Sequence, residues 1–173
     1  GRDSTGFALY GEERLNELKL RFLVGEGAAA NESEALIKTA LETHDAEMVE
    51  DKRVGNNYQA VVKFDGDLRS FAYAMEHAAP DAKVISIGQS LDIVKDVGGA
   101  HDVDERFDVH EFKGSHGLGH VRLATESDVR PESAHPFWAT GFSDVAIVHN
   151  GQITNYWKMR RRLERRDFEF RTD

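Results

Sequence analysis

The chain has 173 residues, 40% of them hydrophobic and 31% charged, with 31 acidic against 22 basic side chains, a net charge of -9 and no cysteine. That length allows one domain with a proper hydrophobic core, or a core with one insertion, and the lack of cysteine excludes disulfides and thiolate metal sites within these residues. The acidic balance argues against a nucleic-acid backbone as partner, no apolar run approaches the ~20 residues that span a bilayer, and nothing resembles a signal peptide, so a cytoplasmic protein that meets neither nucleic acid nor membrane is expected.

In chain order, residues 6–10 form a short apolar run fit for a buried strand, and residues 15–24 a second, partly alternating one. Residues 25–31 break the pattern. Asn31 then predicts a helix N-cap, because Glu34 follows at capping-box spacing and Ala35, Leu36, Ala40 and Leu41 recur near a helical period. Residues 58–64 alternate and are rich in β-branched side chains, Asp65-Gly66 makes a turn, residues 68–79 read as helix until Pro80, and residues 84–87 as strand. This run of strand, helix and strand suggests a small α+β unit. Residues 101–109 are dense in Asp and predict a loop or short helix with a solvated surface.

From Gly117 onward the expectation is a strand over residues 120–125, a loop to Trp138, a strand over 144–149, a helix over 153–164 and a strand start at Phe168. The basic cluster at residues 158–166 spreads its charges around that helix, as a solvated face or as a docking surface for an acidic partner. By composition and pattern alone the protein is a mixed α/β globule without repeats or low-complexity linkers.

Three polar features stand at the ends of these late hydrophobic runs. Arg122 lies within an apolar strand, where a guanidinium needs a partner to justify burial; its planar fork suits a bidentate grip on a carboxylate, supplied by a ligand or by the protein itself. His135 is held ahead of Pro136 in an extended conformation, better placed for a structural hydrogen bond than for proton transfer. Asn150 and Gly151 follow a Val- and Ile-rich strand: an amide side chain and the next backbone N–H can aim at one oxygen, although Asn-Gly is also a common hairpin turn. The helical pattern after Ile153 speaks against the hairpin. Four histidines, His116, His120, His135 and His149, raise zinc as a candidate, but a strand sets residues 116 and 120 about 13 Å apart. The Gly-rich segments lack the Lys-Ser/Thr of a phosphate loop.

Taken together and in order, GHVRLAT (residues 119–125), AHPF (134–137) and VHNGQITNY (148–156) resemble the class II glutamine amidotransferase domain, and the opening GRDSTGFALYG (1–11) resembles that family's RGxDSxG segment. SHG before the first block and ATES within and after it look most like the amidotransferase subunits of glutamate-synthase-like and N-methylglutamate-synthase-like complexes. The resemblance implies an α+β fold of the N-terminal-nucleophile hydrolase type, a four-layer αββα sandwich. Its core is expected at about residues 1–24 and 114–173, with an inserted α+β lobe at about 25–113.

The resemblance further implies L-glutamine as substrate. Asn150 and Gly151 would form the oxyanion hole, Arg122 would hold the substrate α-carboxylate, Leu123 and Thr125 would line the same pocket, and His135 would shape the glutamine loop. An acidic residue for the substrate amino group is expected just past Asp173, with Asp173 itself the candidate within the sequence. The family's nucleophile is an N-terminal cysteine, which this sequence lacks; a chain truncated at both ends, with the cysteine upstream of Gly1, is the expectation, and loss of the nucleophile the alternative.

No cofactor is expected in this chain. With no motif that could use ammonia, a synthase partner in a hetero-oligomeric complex is expected, carrying FMN and an iron–sulfur cluster. The competing readings are a non-catalytic amidotransferase-like sensing or scaffold module, and the glutaminase arm of an amidophosphoribosyltransferase or sugar-phosphate aminotransferase.

Overall fold

A computed structural model describes residues 3–123, 130–168 and 170. The elements run β1 (Asp3–Tyr10), β2 (Glu17–Leu23), α1 (Gly27–Thr43), β3 (Glu47–Val54), β4 (Asn57–Lys63), α2 (Leu68–Glu76), β5 (Lys83–Gly88), β6 (Leu91–Val97), α3 (Ala100–Phe107), β7 (His116–Leu123), β8 (Phe137–Trp138), β9 (Ala146–Ile147) and α4 (Tyr156–Glu164). The result is a mixed α+β protein in which, among the described residues, every strand pair is antiparallel. One sheet has the order β6-β1-β7, a second β3-β4-β2-β5, and β8 and β9 form a two-stranded ribbon.

Alternation explains the strands at the centre. In β2, Leu18, Leu20 and Phe22 turn into the core with Tyr58, Ala60 and Val62 of β4 and Ile87 of β5, and the same cluster takes in Ala8, Leu91 and Ile93 from the three-stranded sheet. Helices α1 and α2 pack on each other and on β3 and β5, α3 packs on β1 and β6, and the two sheets meet where β2 and β5 approach β6. Ile37 and Leu41 of α1 and Phe71 and Met75 of α2 supply the helical side of the core. Asp67 caps α2 by accepting the Ser70 backbone N–H at 2.8 Å, which satisfies one of the free donors at a helix start.

Several expectations need correction. The helix predicted to begin at Asn31 begins at Gly27, because Ala28, Ala29 and Ala30 are strong helix formers and Ala30 is buried. Asn31 instead accepts from Arg53 Nη2 at 2.7 Å, and Glu34 pairs with Lys38 at 2.8 Å and Arg53 at 3.2 Å. Two strands were masked by charge. Strand β3 (EMVEDKRV) is a largely exposed sheet edge, where charged side chains guard against pairing with other chains. Strand β6 (LDIVKDV) is buried from Leu91 to Asp96, and each of its charges finds a partner: Asp92 takes a bidentate grip from Arg21, Asp96 pairs with Arg106, and Lys95 meets backbone carbonyls.

The expected core and inserted lobe share strands across both sheets. Residues expected in the lobe supply β6, which pairs with β1, and β4 and β5, which flank β2. Toward the C-terminus β9 has two residues where a strand over 144–149 was expected, α4 begins at Tyr156, and among the described residues no strand follows it. No helix of the described residues is long and apolar enough to cross a membrane.

Candidate functional site

The opening motif and two of the three late motifs, at residues 119–125 and 134–137, meet on one face of the three-stranded sheet. Register sets Lys95, Gly6 and His120 side by side across β6, β1 and β7, with Ser4 and Arg122 one step along. Over this row runs the loop that carries His135, whose peptide bond to Pro136 is cis. Gly6 is what lets the loop come down: a Cβ there would stand 2.2 Å from the His135 carbonyl oxygen.

Rings then stack outward from the sheet. His120 and His135 have centroids 4.7 Å apart, and Phe137 meets His135 edge-on at 4.5 Å. Burial, and then the nearby His120, Lys95, His149 and Arg122, push His135 down to about 4, so the imidazole is neutral at physiological pH. The Nδ1 atoms of His120 and His135 and the Ser4 hydroxyl are buried without a hydrogen-bond partner among the described residues. The cluster is thus rich in nitrogen bases and cations. Among the described residues, no group of three or more His, Asp or Glu is arranged to hold a metal. His116 stands apart from the cluster, stacked on Tyr10 at 4.2 Å.

The Asn150-Gly151 pair follows the β8–β9 ribbon. Its residues are exposed, and no second strand follows, so the pair is not the turn of a two-stranded hairpin among the described residues. The ribbon is anchored from beneath. Trp138 donates from Nε1 to the Phe142 carbonyl at 2.7 Å. Asp144, in the left-handed region at φ 59°, accepts backbone N–H groups from Gln89 at 3.0 Å, Ser90 at 2.7 Å and Leu91 at 2.7 Å. Burial opposes ionisation of Asp144, but the Ser143 hydroxyl and these three N–H donors outweigh it and hold the carboxyl below its usual range. A single carboxylate therefore ties the segment before Asn150 to the β5–β6 turn.

Of the residues expected at the site, Arg122, His135 and the backbone end of β7 at Leu123 are brought together. Asn150 and Gly151 adjoin His149, which is among the groups near enough to act on His135. Thr125 and Asp173 lie outside the described residues. Sequence reasoning missed Lys95, Asp144 and the histidine pairing of His120. A lysine in the run LDIVKDV was the one available signal, since a cation amid β-branched residues implies a buried partner.

Residues 103–173 match the family model for a glutamine amidotransferase domain, which takes in β7, the His135 loop, the ribbon and α4. Over residues 103–173 the chain is therefore similar to glutamine amidotransferase domains; this span holds His120, Arg122 and His135, while Gly6 and Lys95 lie outside it.

Among individual relatives, the chain is 32% identical over 180 residues to a protein of Methanothermobacter thermautotrophicus that bears a glutamine amidotransferase name, an alignment covering all of this chain and 58% of the relative. It is 48% identical over 93 residues to the glutamine amidotransferase-like protein GlxB of Rhizobium meliloti, covering 54% of this chain and 30% of that protein. It is 35% identical over 101 residues to an amidophosphoribosyltransferase of M. thermautotrophicus, covering 57% of this chain and 21% of the relative. The chain thus spans a little over half of the first relative and less than a third of the other two.

Proposed function

We propose that this protein is a class II glutaminase subunit that hydrolyses L-glutamine to glutamate and delivers ammonia to a glutamate-synthase-like or N-methylglutamate-synthase-like partner. The observation that carries the reading is the seating of the His135 loop on Gly6, beside Arg122, with Asn150-Gly151 exposed at the end of the adjoining ribbon. The opening motif and the motifs at residues 119–125 and 134–137 thereby share one face of the three-stranded sheet. The N-terminal-nucleophile sandwich is the fold proposed with it, in keeping with α1 and α2 on one sheet and α3 on the other.

In this reading the Arg122 fork holds the substrate α-carboxylate, with Leu123 and Thr125 beside it, His135 shaping the pocket and Asp173 near the substrate amino group. The nucleophile is a cysteine outside these residues, N-terminal to Gly1. Its thiolate adds to the carboxamide carbon, and the carbonyl electron pair moves to oxygen, which accepts from the Asn150 side-chain N–H and the Gly151 backbone N–H. The C–N bond then breaks as the leaving nitrogen takes a proton from the cysteine α-ammonium, whose ordinary pKa of ~8 suits that transfer near neutrality. Water adds to the thioester and releases glutamate. No step needs a cofactor in this chain; FMN and iron–sulfur chemistry belong to the proposed partner.

The absence of cysteine from all 173 residues favours one second reading, a module that binds glutamine without cleaving it. Calorimetric titration with L-glutamine, with D-glutamine as control, and glutamate release by the protein with its native flanking sequence separate the two. Binding with release supports the glutaminase, binding without release the sensing module, and neither binding nor release removes both.

A further inference from the structure

Lys95 lies in the middle of β6 and is only 2% exposed. Its ammonium donates to three backbone carbonyls of one loop: Ala134 O at 2.9 Å, Pro136 O at 3.3 Å and Glu132 O at 3.4 Å. The Phe137 ring lies 4.9 Å from the same nitrogen. Among the described residues no carboxylate forms an ion pair with it. An ammonium has three N–H donors, and here each finds a carbonyl of the loop that carries His135.

The register explains how Lys95 reaches that loop. Lys95 stands opposite Gly6, and Gly6 opposite His120, so the lysine spans a strand position with no side chain. The loop is therefore gripped through its backbone from the β6 side and through the His135 ring from the β7 side, over a glycine that leaves it room.

We propose that Lys95 is a positioning residue for glutamine recognition, which clamps residues 132–136 to the sheet and so sets where the His135 ring stands beside Arg122. The role in glutamine recognition rests on the glutaminase reading; the clamp does not. A clamp of this kind acts on ground-state binding, because the parts it places are remote from the scissile amide and touch substrate and transition state alike.

The test uses Lys95→Met and Lys95→Arg in the protein with its native flanking sequence, read by imidazole NMR of His135 and by glutamine kinetics. The groups facing His135 are His120 and Arg122 from β7, Lys95 from β6 and His149 after β9, with Glu132 acting on Lys95. In Lys95→Met the His120–His135 ring contact weakens, the His135 titration midpoint rises, and KM for glutamine increases about tenfold while kcat changes less than about threefold. In Lys95→Arg the fork cannot serve three carbonyls in the same geometry, so all these effects appear at smaller size. A folded Lys95→Met protein with a lower Tm but unchanged His135 signals and unchanged KM overturns the proposal. Should Lys95→Met fail to fold, unchanged His135 signals in Lys95→Arg overturn it equally. If the wild-type protein neither binds nor cleaves glutamine, the glutaminase reading fails, while the His135 signals still judge the clamp.

Discussion

Around the four-stranded sheet, Leu20, Phe22, Ile37, Tyr58, Phe71 and Ile87 are at most 1% exposed, whereas from β7 to α4 Val121 is 53%, Ile147 59% and Trp157 63% exposed. The first region is held mainly by apolar burial from several directions, with the buried Arg21–Asp92 pair as its chief polar tie. The second keeps its shape by a few polar ties: Lys95 to the His135 loop, Asp144 to the β5–β6 turn, Trp138 to Phe142. A region built that way can leave polar groups open to a small molecule. It also concentrates the consequence of each polar substitution in ligand handling and leaves global stability largely to the other region.

The contrast is broken most directly in the core. Phe71→Ala is expected to cost about 3–5 kcal/mol, the range for a large aromatic removed from a packed interior, read as the shift in urea midpoint. A loss below 1 kcal/mol would show that the four-stranded side is not the stability centre. On the open side, Asn150→Ala is expected to lower glutaminase kcat by roughly 100- to 1000-fold with little change in KM, while the urea midpoint stays within about 0.5 kcal/mol of wild type. An unchanged kcat in an active preparation would make the Asn-Gly pair a mere chain reversal.

Arg122→Lys keeps the charge and loses the fork, so KM for glutamine is expected to rise by more than kcat falls. A collapse of kcat at constant KM would move Arg122 from substrate binding to the chemical step.

The pH dependence sharpens the comparison further, because the groups involved sit at the boundary of the two regions. His135 is pushed down to about 4 in the folded protein, so between about pH 6.5 and 4 the unfolded chain binds more protons and stability falls as pH drops. Burial pushes Lys95 down to about 8, so between about pH 8 and 10.5 the unfolded chain again binds more protons, and stability rises with pH. His135→Gln should flatten the lower window and Lys95→Met the upper one in otherwise matched denaturation series. The smallest effect is expected at Trp157→Ala, within about 0.5 kcal/mol, since the side chain is mostly exposed and α4 buries none of its residues. A larger loss on thermal melting would mean that α4 belongs to the cohesive unit after all.

The sequence by itself determined the central strands, because partial alternation in β2 and β-branched runs in β4 are local properties, although both strands prove buried on both faces over much of their length. It also held the motifs at residues 119–125, 134–137 and 148–156, since residue identity and order need no coordinates. It did not disclose β3 or β6, whose charged residues look like loop until an edge position or a partner explains them: Arg21 for Asp92, Arg106 for Asp96, loop carbonyls for Lys95. Nor could it show that residues 25–113 share both sheets with β1 and β2, because strand pairing is long-range and a local period is silent about it. Only the tertiary structure decided that Gly6, from the opening motif, would lie beneath His135, since that requires register on both sides of β1. Only it gave Lys95 and Asp144 their work, because a buried charge acquires meaning from the groups that solvate it, and those lie far along the chain.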